Sequence, residues 1–321
     1  MKRLIVNADD FALTRLVSQG ILDAHYYGIV TSTSLIANGG AFEEAIAMAM
    51  RAPQLSVGVH LALTHGIPVS PASGVPTLVD ADGRLYLTAR QLLNGIVTHR
   101  ISLREIELEL RAQISKVLRA GIILTHLDGH KHLQVLPGIS EIVIRLAQEF
   151  GVPSVRCPME ELPLAWLPRS LRDAQAVVFR QRLAGRAVSW FARRFRLKLV
   201  QAGLNYPTHF YGLSQTGLLN VERLEEIMRG LPEGTSELMC HPGYADPLLA
   251  KTGTRLLAQR EIESRALMSP RTRELAIREG IQLVSYGEFA CAVHGSQATA
   301  HDLVRTATGC DRRDRIGESS I

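Results

Sequence analysis

The sequence predicts an α/β fold, a distorted (β/α) barrel of seven or eight strands, and three observations carry the prediction. Short β-branched runs alternate with longer helical ones through most of the chain, as in the strand–helix units of a mostly parallel sheet. The first strand runs into "NADDFALT", a turn without glycine, where an open doubly wound sheet, the alternative architecture, usually carries a Gly-rich phosphate turn. The polar outliers Asp9, Asp10, His60, the histidines around position 130, Arg156 and His241 all fall at the C-terminal ends of predicted strands. Parallel barrels assemble their sites at those ends.

In chain order, "RLIVNADD" (3–10) reads as a buried strand and "LVSQGILDAHYYG" (16–28) as a helix closed by a glycine. "IVTSTSLIAN" (29–38) is strand-like, "AFEEAIAMAMRA" (41–52) helical and "LSVGVHLAL" (55–63) a strand. A Pro- and Gly-rich loop (66–84) leads to helices over 88–96 and 102–120. "GIILTHLDGHKH" is the next strand and its exit, 137–150 is a helix and "VPSVRCP" (152–158) a short strand. A long basic helical region, about 165–200, precedes strands in "THFYGL" (208–213), "SELMCHPG" (236–243) and "IQLVSYGEF" (281–289). Residues 1–295 thus read as one barrel domain with a basic helical insertion, and 296–321 as a polar, disordered tail.

Composition sets the outer bounds. The chain has 321 residues, 46% apolar and 21% charged, ordinary for a globular protein with a full core. Cys157, Cys240, Cys291 and Cys310 are scattered with no CxxC pair, which argues against a disulfide framework or thiolate zinc site and suits a reducing cytoplasm. The apolar start "MKRLIV" is cut by Asn7, Asp9 and Asp10, so it reads as neither signal peptide nor transmembrane span. The net charge of +5 is concentrated: between Arg169 and Lys198 eight arginines and one lysine face the single acid Asp173. That stretch lacks a nucleic-acid-binding signature, so no nucleic-acid partner is expected. Its arginines interleave with Val177, Phe179, Leu183, Trp190, Phe191 and Phe195, which suits peripheral membrane binding on the inner face; a solvated arginine-rich surface helix is the other reading.

The chemistry-bearing residues each admit two readings. Asp9 and Asp10 could cap a helix, or could divide the roles of metal ligand and base, since adjacent carboxylates raise each other's pKa. His60 alone suits a satisfied core histidine as well as a ligand. In "THLDGHKH" (125–132), His126, Asp128, His130 and His132 recur at a spacing of two, which in an extended strand gives them one shared face. So dense a polar face is costly to bury without a partner. His25, His65, His99, His294 and His301 read as structural. Cys240 beside His241 is no nucleophilic pair, because neighbours in a strand point to opposite faces. One Asp and two His on separate strand ends would make a three-ligand site with open positions, the arrangement of metal-assisted hydrolysis.

"NADDF", "TSTSLIAN", "GVHLALT", "THLDGHKHLQVLP" and "ELMCHPG", in this order, resemble the YdjC-type carbohydrate deacetylases, which include chitooligosaccharide and hopanoid-biosynthesis deacetylases. The resemblance spans about residues 1–290 and implies a (β/α) barrel, a divalent metal usually described as Mg²⁺, and hydrolysis of an N-acetyl group on a glucosamine-type sugar. By position it implies Asp10, His60 and His130 as metal ligands and Asp9 as the base. It gives His241 the stabilising or protonating role opposite, and Arg156, in "VRCP", the orienting of the catalytic aspartate. His126, Asp128 and His132 become supporting or substrate-contact residues. Two departures stand out: Ala12 where the family usually has glycine after the Phe, and Lys131 in "DGHKH" where chitooligosaccharide members have histidine. "AGLNYPTHFYGLSQTGLL" (202–219) resembles the corresponding stretch of the family, particularly of the hopanoid-type members, which act on a sugar carried by a membrane lipid.

The expectation is therefore a metal-dependent N-deacetylase acting on an N-acetylated sugar or glycolipid. Ligand type suits Zn²⁺, Co²⁺ or Mn²⁺ better than Mg²⁺, which favours all-oxygen sites. The rival readings are a phosphoesterase on a similar barrel and a non-catalytic sugar- or lipid-binding protein. The sequence leaves oligomeric state open, a homo-oligomer included.

Overall fold

The computed structural model describes residues 1–86, 88–160 and 175–298. Among these residues eight parallel strands form one sheet: β1 (Lys2–Phe11), β2 (Ser32–Leu35), β3 (Ser56–Leu61), β4 (Leu124–Gly129), β5 (Ser154–Val155), β6 (His209–Tyr211), β7 (Gly234–Cys240) and β8 (Ile281–Leu283). Their order is β5-β4-β3-β2-β1-β7-β6, with β8 also on β1. β7 takes one edge of β1 from Lys2 to Ala8. The other edge is divided between β8, at Lys2–Leu4, and β2, from Asn7 onward. The open ends of the sheet approach through Asn205, which accepts from the N–H of Val155 at 2.9 Å and donates to the carbonyl of Pro153 at 3.0 Å. The result is the barrel-like (β/α) architecture the sequence predicts.

Helices α1 (Arg15–Tyr26), α2 (Phe42–Met50), α3 (Ala89–Val97), α4 (Leu103–Arg119), α5 (Ile139–Glu149), α6 (Gln175–Gln201), α7 (Val221–Arg229), α8 (Pro247–Lys251), α9 (Ala258–Leu267), α10 (Pro270–Arg278) and α11 (Tyr286–Ala298) connect the strands. Local signals start several of them. The Thr14 hydroxyl accepts from the N–H of Val17, and Thr88 with Gln91 forms a capping box. α4 buries Ile106, Leu110, Ile114 and Val117, one stripe at helical spacing.

The pleat of β1 sorts its side chains. Leu4, Val6 and Ala8 join the large core beneath the helices, whereas Ile5 faces inward with Val284, Tyr286 and Phe289. Above Ile5 the barrel interior becomes polar and leads to the site. The strand expected over 281–289 ends at Leu283, and the chain is helical from Tyr286. A capping box in "SYGE" causes the switch: Ser285 Oγ accepts from the N–H of Glu288, whose carboxylate accepts from the N–H of Ser285.

α6 carries no acidic residue. It buries Ala192, Phe195 and Leu199 and leaves Leu183, Trp190, Leu197 and Val200 exposed, with Arg194 over the Trp190 ring at 4.6 Å. Among the described residues no helix is long and apolar enough to cross a membrane. Arg169, Arg172 and Asp173 of the basic region, and 299–321 of the expected tail, lie outside the described residues.

Candidate active site

The site is built at the C-terminal ends of the strands. β1 delivers Asp9 and Asp10, β3 delivers His60, and β4 delivers His126 and Asp128. Arg156 follows β5 and His241 follows β7. All nine predicted residues lie in this region, but not as the spacing of two in "THLDGHKH" implied. β4 stops at Gly129, and His130–Val135 forms a tight turn in which Lys131 and His132 adopt φ of 56° and 57°. Only His126 and Asp128 share the strand face, both reaching Ser34 Oγ, at 3.1 and 2.9 Å. The left-handed turn brings His130 back over the strand ends and sends His132 against Phe210, ring centroids 5.9 Å apart. Gly58 on β3 makes room for His126; a Cβ there would meet its ring at 2.5 Å.

Asp10, His60 and His130 converge. His130 Nδ1 lies 3.5 Å and His60 Nε2 3.7 Å from Asp10 Oδ1, and the two ring nitrogens are 3.3 Å apart. Asp10 Oδ2 accepts from Arg260 Nη2 at 2.6 Å, whereas the buried Oδ1 has no hydrogen-bond partner among the described residues. An orphaned buried carboxylate oxygen facing two imidazole nitrogens fits a divalent cation. His60 is prepared for it, because its Nδ1 is engaged by Asp128 Oδ1 at 2.9 Å, which leaves Nε2 to face Asp10. Burial opposes a charge on His60, yet Asp128, Asp9 and Asp10 together lift its pKa to about 9. The local field therefore favours positive charge at this point. Burial likewise opposes the charge of Asp10, but Arg260 and His130 hold its carboxyl well below the ordinary range.

A second cluster, Asp9, His60 and Asp128, also has the composition of a metal site. Arg156 already fills it. The fully buried guanidinium meets Asp9 Oδ1 at 2.7 Å and Oδ2 at 2.8 Å, Asp128 Oδ2 at 2.5 Å and Glu237 Oε1 at 2.8 Å. Such a fork fixes direction as well as charge. Burial works against the ionised form of Asp9, but Arg156 overrides it and holds the carboxyl low. Asp9 Oδ1 also accepts from Asn7 Nδ2 at 3.0 Å, while Oδ2 has Arg156 as its one described hydrogen-bond donor and keeps a lone pair.

On the other side, Glu263 of α9 accepts from the N–H of His241 at 2.6 Å and fixes that loop. Burial lowers His241 to about 4 despite Asp9 and Asp10, so the ring is neutral near pH 7. Its buried Nδ1 has no partner among the described residues. His126 and His132 are also neutral, each lowered to about 3 by burial.

Sequence reasoning missed Asn7, Ser34, Glu237, Arg260 and Tyr286. Asn7, Ser34 and Glu237 were visible as polar residues inside apolar strands; nothing in the helices marked Arg260 or Tyr286. His65, read as structural, lies at the mouth with its Nε2 2.7 Å from Lys131 Nζ and its ring 6.1 Å from that of His130. Ala12, in place of the expected glycine, adopts φ of 76°.

A family model described as YdjC-like protein matches residues 3–278. A carbohydrate deacetylase of Brevibacillus brevis is 35% identical over 89% of this chain and 99% of its own. The carbohydrate deacetylase of Homo sapiens is 33% identical over 89% and 91%. Among solved structures, a candidate cellobiose-phosphate cleavage protein of Enterococcus faecalis superposes with a TM-score of 0.71 at 27% identity, covering 90% of this chain and 98% of the other.

Proposed function

From the premise that the chain belongs to the YdjC-like protein family, we propose that it is a carbohydrate deacetylase, a hydrolase that removes the N-acetyl group from an N-acetylglucosamine-type sugar. The observation that carries the reading is the Asp10–His60–His130 donor set, buried at Asp10 and His60, beside an Asp9 held by Arg156. A divalent cation held by these three residues would polarise the acetamide carbonyl and acidify a water. Asp10 offers Oδ1, His60 its Nε2 and His130 its Nδ1. Asp9 takes the proton of the attacking water through its free lone pair, and Arg156 keeps that carboxylate ionised and aimed. His241 is neutral at rest, so the proton it delivers to the departing amine is the one Asp9 takes from the water, passed on so that Asp9 is ionised again at the end of the cycle. His126, Asp128 and His132 support these groups from behind. The products are acetate and a free amino sugar.

The two imidazoles favour Zn²⁺, Co²⁺ or Mn²⁺ by ligand type, while family resemblance favours Mg²⁺. A phosphoesterase would more often need a second cation, and the other donor cluster is closed by Arg156. A pure binding protein has no use for a buried, aimed base. Residues 1–295 act as one catalytic unit in this reading, in the cytoplasm. Outward Leu183, Trp190 and Leu197 on an acid-free helix support a further element, a glycolipid substrate met at the inner face of a membrane. No co-sedimentation with anionic vesicles at low salt would remove that element alone.

The deciding experiment is acetate release from N-acetylglucosamine oligomers and N-acetylglucosaminyl lipids, with and without chelator. Chelator-sensitive release is expected. No release from any substrate, or release indifferent to chelation, refutes the reading.

A further inference from the structure

The floor of the site is supplied by the last described helix. Tyr286, the first residue of α11, is fully buried inside the barrel. Its N–H donates to Ser32 Oγ at 3.0 Å, and its ring lies against His126 with centroids 3.9 Å apart and planes 11° apart. Its hydroxyl donates to Glu237 Oε2 at 2.6 Å. The other oxygen of Glu237 accepts from Arg156 Nε at 2.8 Å, while both terminal nitrogens of that guanidinium hold Asp9.

Asp9 and Asp128 grip this guanidinium only through its terminal nitrogens, which leaves its Nε edge free to tilt. A contact at Nε removes that freedom. Glu237 supplies it, and can do so in only one orientation because Tyr286 holds its second oxygen. We infer that Tyr286 and Glu237 are positioning residues for the reaction: they fix the plane of Arg156 and, through it, the direction of Asp9. Tyr286 lies outside the residues 3–278 shared with the family model, so this chain completes its site from beyond that segment.

The kinetic consequence rests on the deacetylase reading; the geometric one does not. The test uses Tyr286→Phe, which keeps the ring on His126 and deletes the hydroxyl, and Glu237→Gln. The ¹H–¹⁵N signal of Arg156 Nε–H, assigned by its loss in Arg156→Lys, should shift and exchange with water about tenfold faster in both variants. The kcat for acetate release should fall about tenfold in Tyr286→Phe at unchanged KM, and by less than about twofold more when Tyr286→Phe is added to Arg156→Lys. An unmoved Nε–H signal in both variants overturns the inference. So does a loss of kcat that is as large in the Arg156→Lys background as in the parent. If the parent chain releases no acetate from any sugar, the deacetylase reading fails and the Nε–H signal alone decides the coupling.

Discussion

Replacing Asp128 with asparagine is a sharp perturbation, because the amide fits neither of its two orientations. Asp128 Oδ1 accepts from His60 Nδ1, and Oδ2 accepts from both Arg156 Nη1 and Ser34 Oγ. With the asparagine oxygen toward His60, the NH₂ opposes Arg156 Nη1 across a 2.5 Å gap, donor against donor. With the oxygen toward Arg156, the NH₂ faces His60 Nδ1 and forces the ring proton onto Nε2, the atom facing Asp10 and His130. The first arrangement loses a charge-assisted bond and strands a buried donor, at roughly 1.5–3 kcal/mol. The removed charge brings the cost near the ~3–5 kcal/mol of breaking a buried ion pair. The second arrangement blocks a ligand atom, and disturbing such an outer partner lowers metal affinity about 10–100-fold. Urea unfolding and calorimetric titration of chelator-stripped protein with Mn²⁺ or Zn²⁺ measure the two effects separately. An Asp128→Asn variant with parental stability and metal affinity within about twofold of the parent would refute the assignment of Asp128 as support for His60.

Three further outcomes follow from the same geometry. His130→Ala should abolish chelator-sensitive acetate release and weaken metal binding at least ~100-fold while the fold survives, since His130 lies in a partly exposed turn rather than in the core; parental affinity by calorimetry would remove it from the ligand set. Ala12→Gly should be neutral or stabilising by about 0.5–1 kcal/mol, because φ of 76° strains alanine by more than glycine adds in unfolded-state entropy; a clear loss in urea unfolding would contradict this. Burial lifts Glu237 from 4.5 to about 7 against the pull of Arg156 and Tyr286, so the native state binds its proton more tightly than the unfolded chain does. That contribution is full below about pH 4.5 and lost as pH rises through 7, so the stability of the parent relative to Glu237→Gln should fall by on the order of 3 kcal/mol across the window. A difference independent of pH would show that Glu237 is ionised throughout.

The fold and much of the site were legible in the sequence because they rest on local regularities. Alternating strand and helix patterns gave the barrel, and placing the polar outliers at strand ends brought Asp9, Asp10, His60, Arg156 and His241 to one face. The period-two reading of "THLDGHKH" failed at Gly129 because a left-handed turn, not a strand, carries Lys131 and His132. "SYGE" could have been recognised as a helix start; its apolar neighbours argued louder for a strand. Arg260 and Tyr286 were unreadable for a different reason. They reach the site from helices whose own patterns are satisfied without it, across 250 residues to Asp10 and 49 to Glu237. Only the assembled barrel makes those distances short.

The divided edge of β1 also bears on how the chain is made. β1 is translated before the other described strands, yet its full-length neighbour β7 and its basal neighbour β8 are among the last of them to appear. At about 5–20 residues per second, the apolar run from Leu4 to Ala8 waits roughly 15–55 seconds for Ile281 and Tyr286 to be translated. Until Gly234–Cys240 is translated, β1 can pair only with β2 among its sheet neighbours. Nascent chains halted before β7 should therefore engage chaperones through the residues of β1 and bind no cation, and a stop just before β8 would leave the Lys2–Leu4 edge of β1 unpaired and Glu237 without Tyr286.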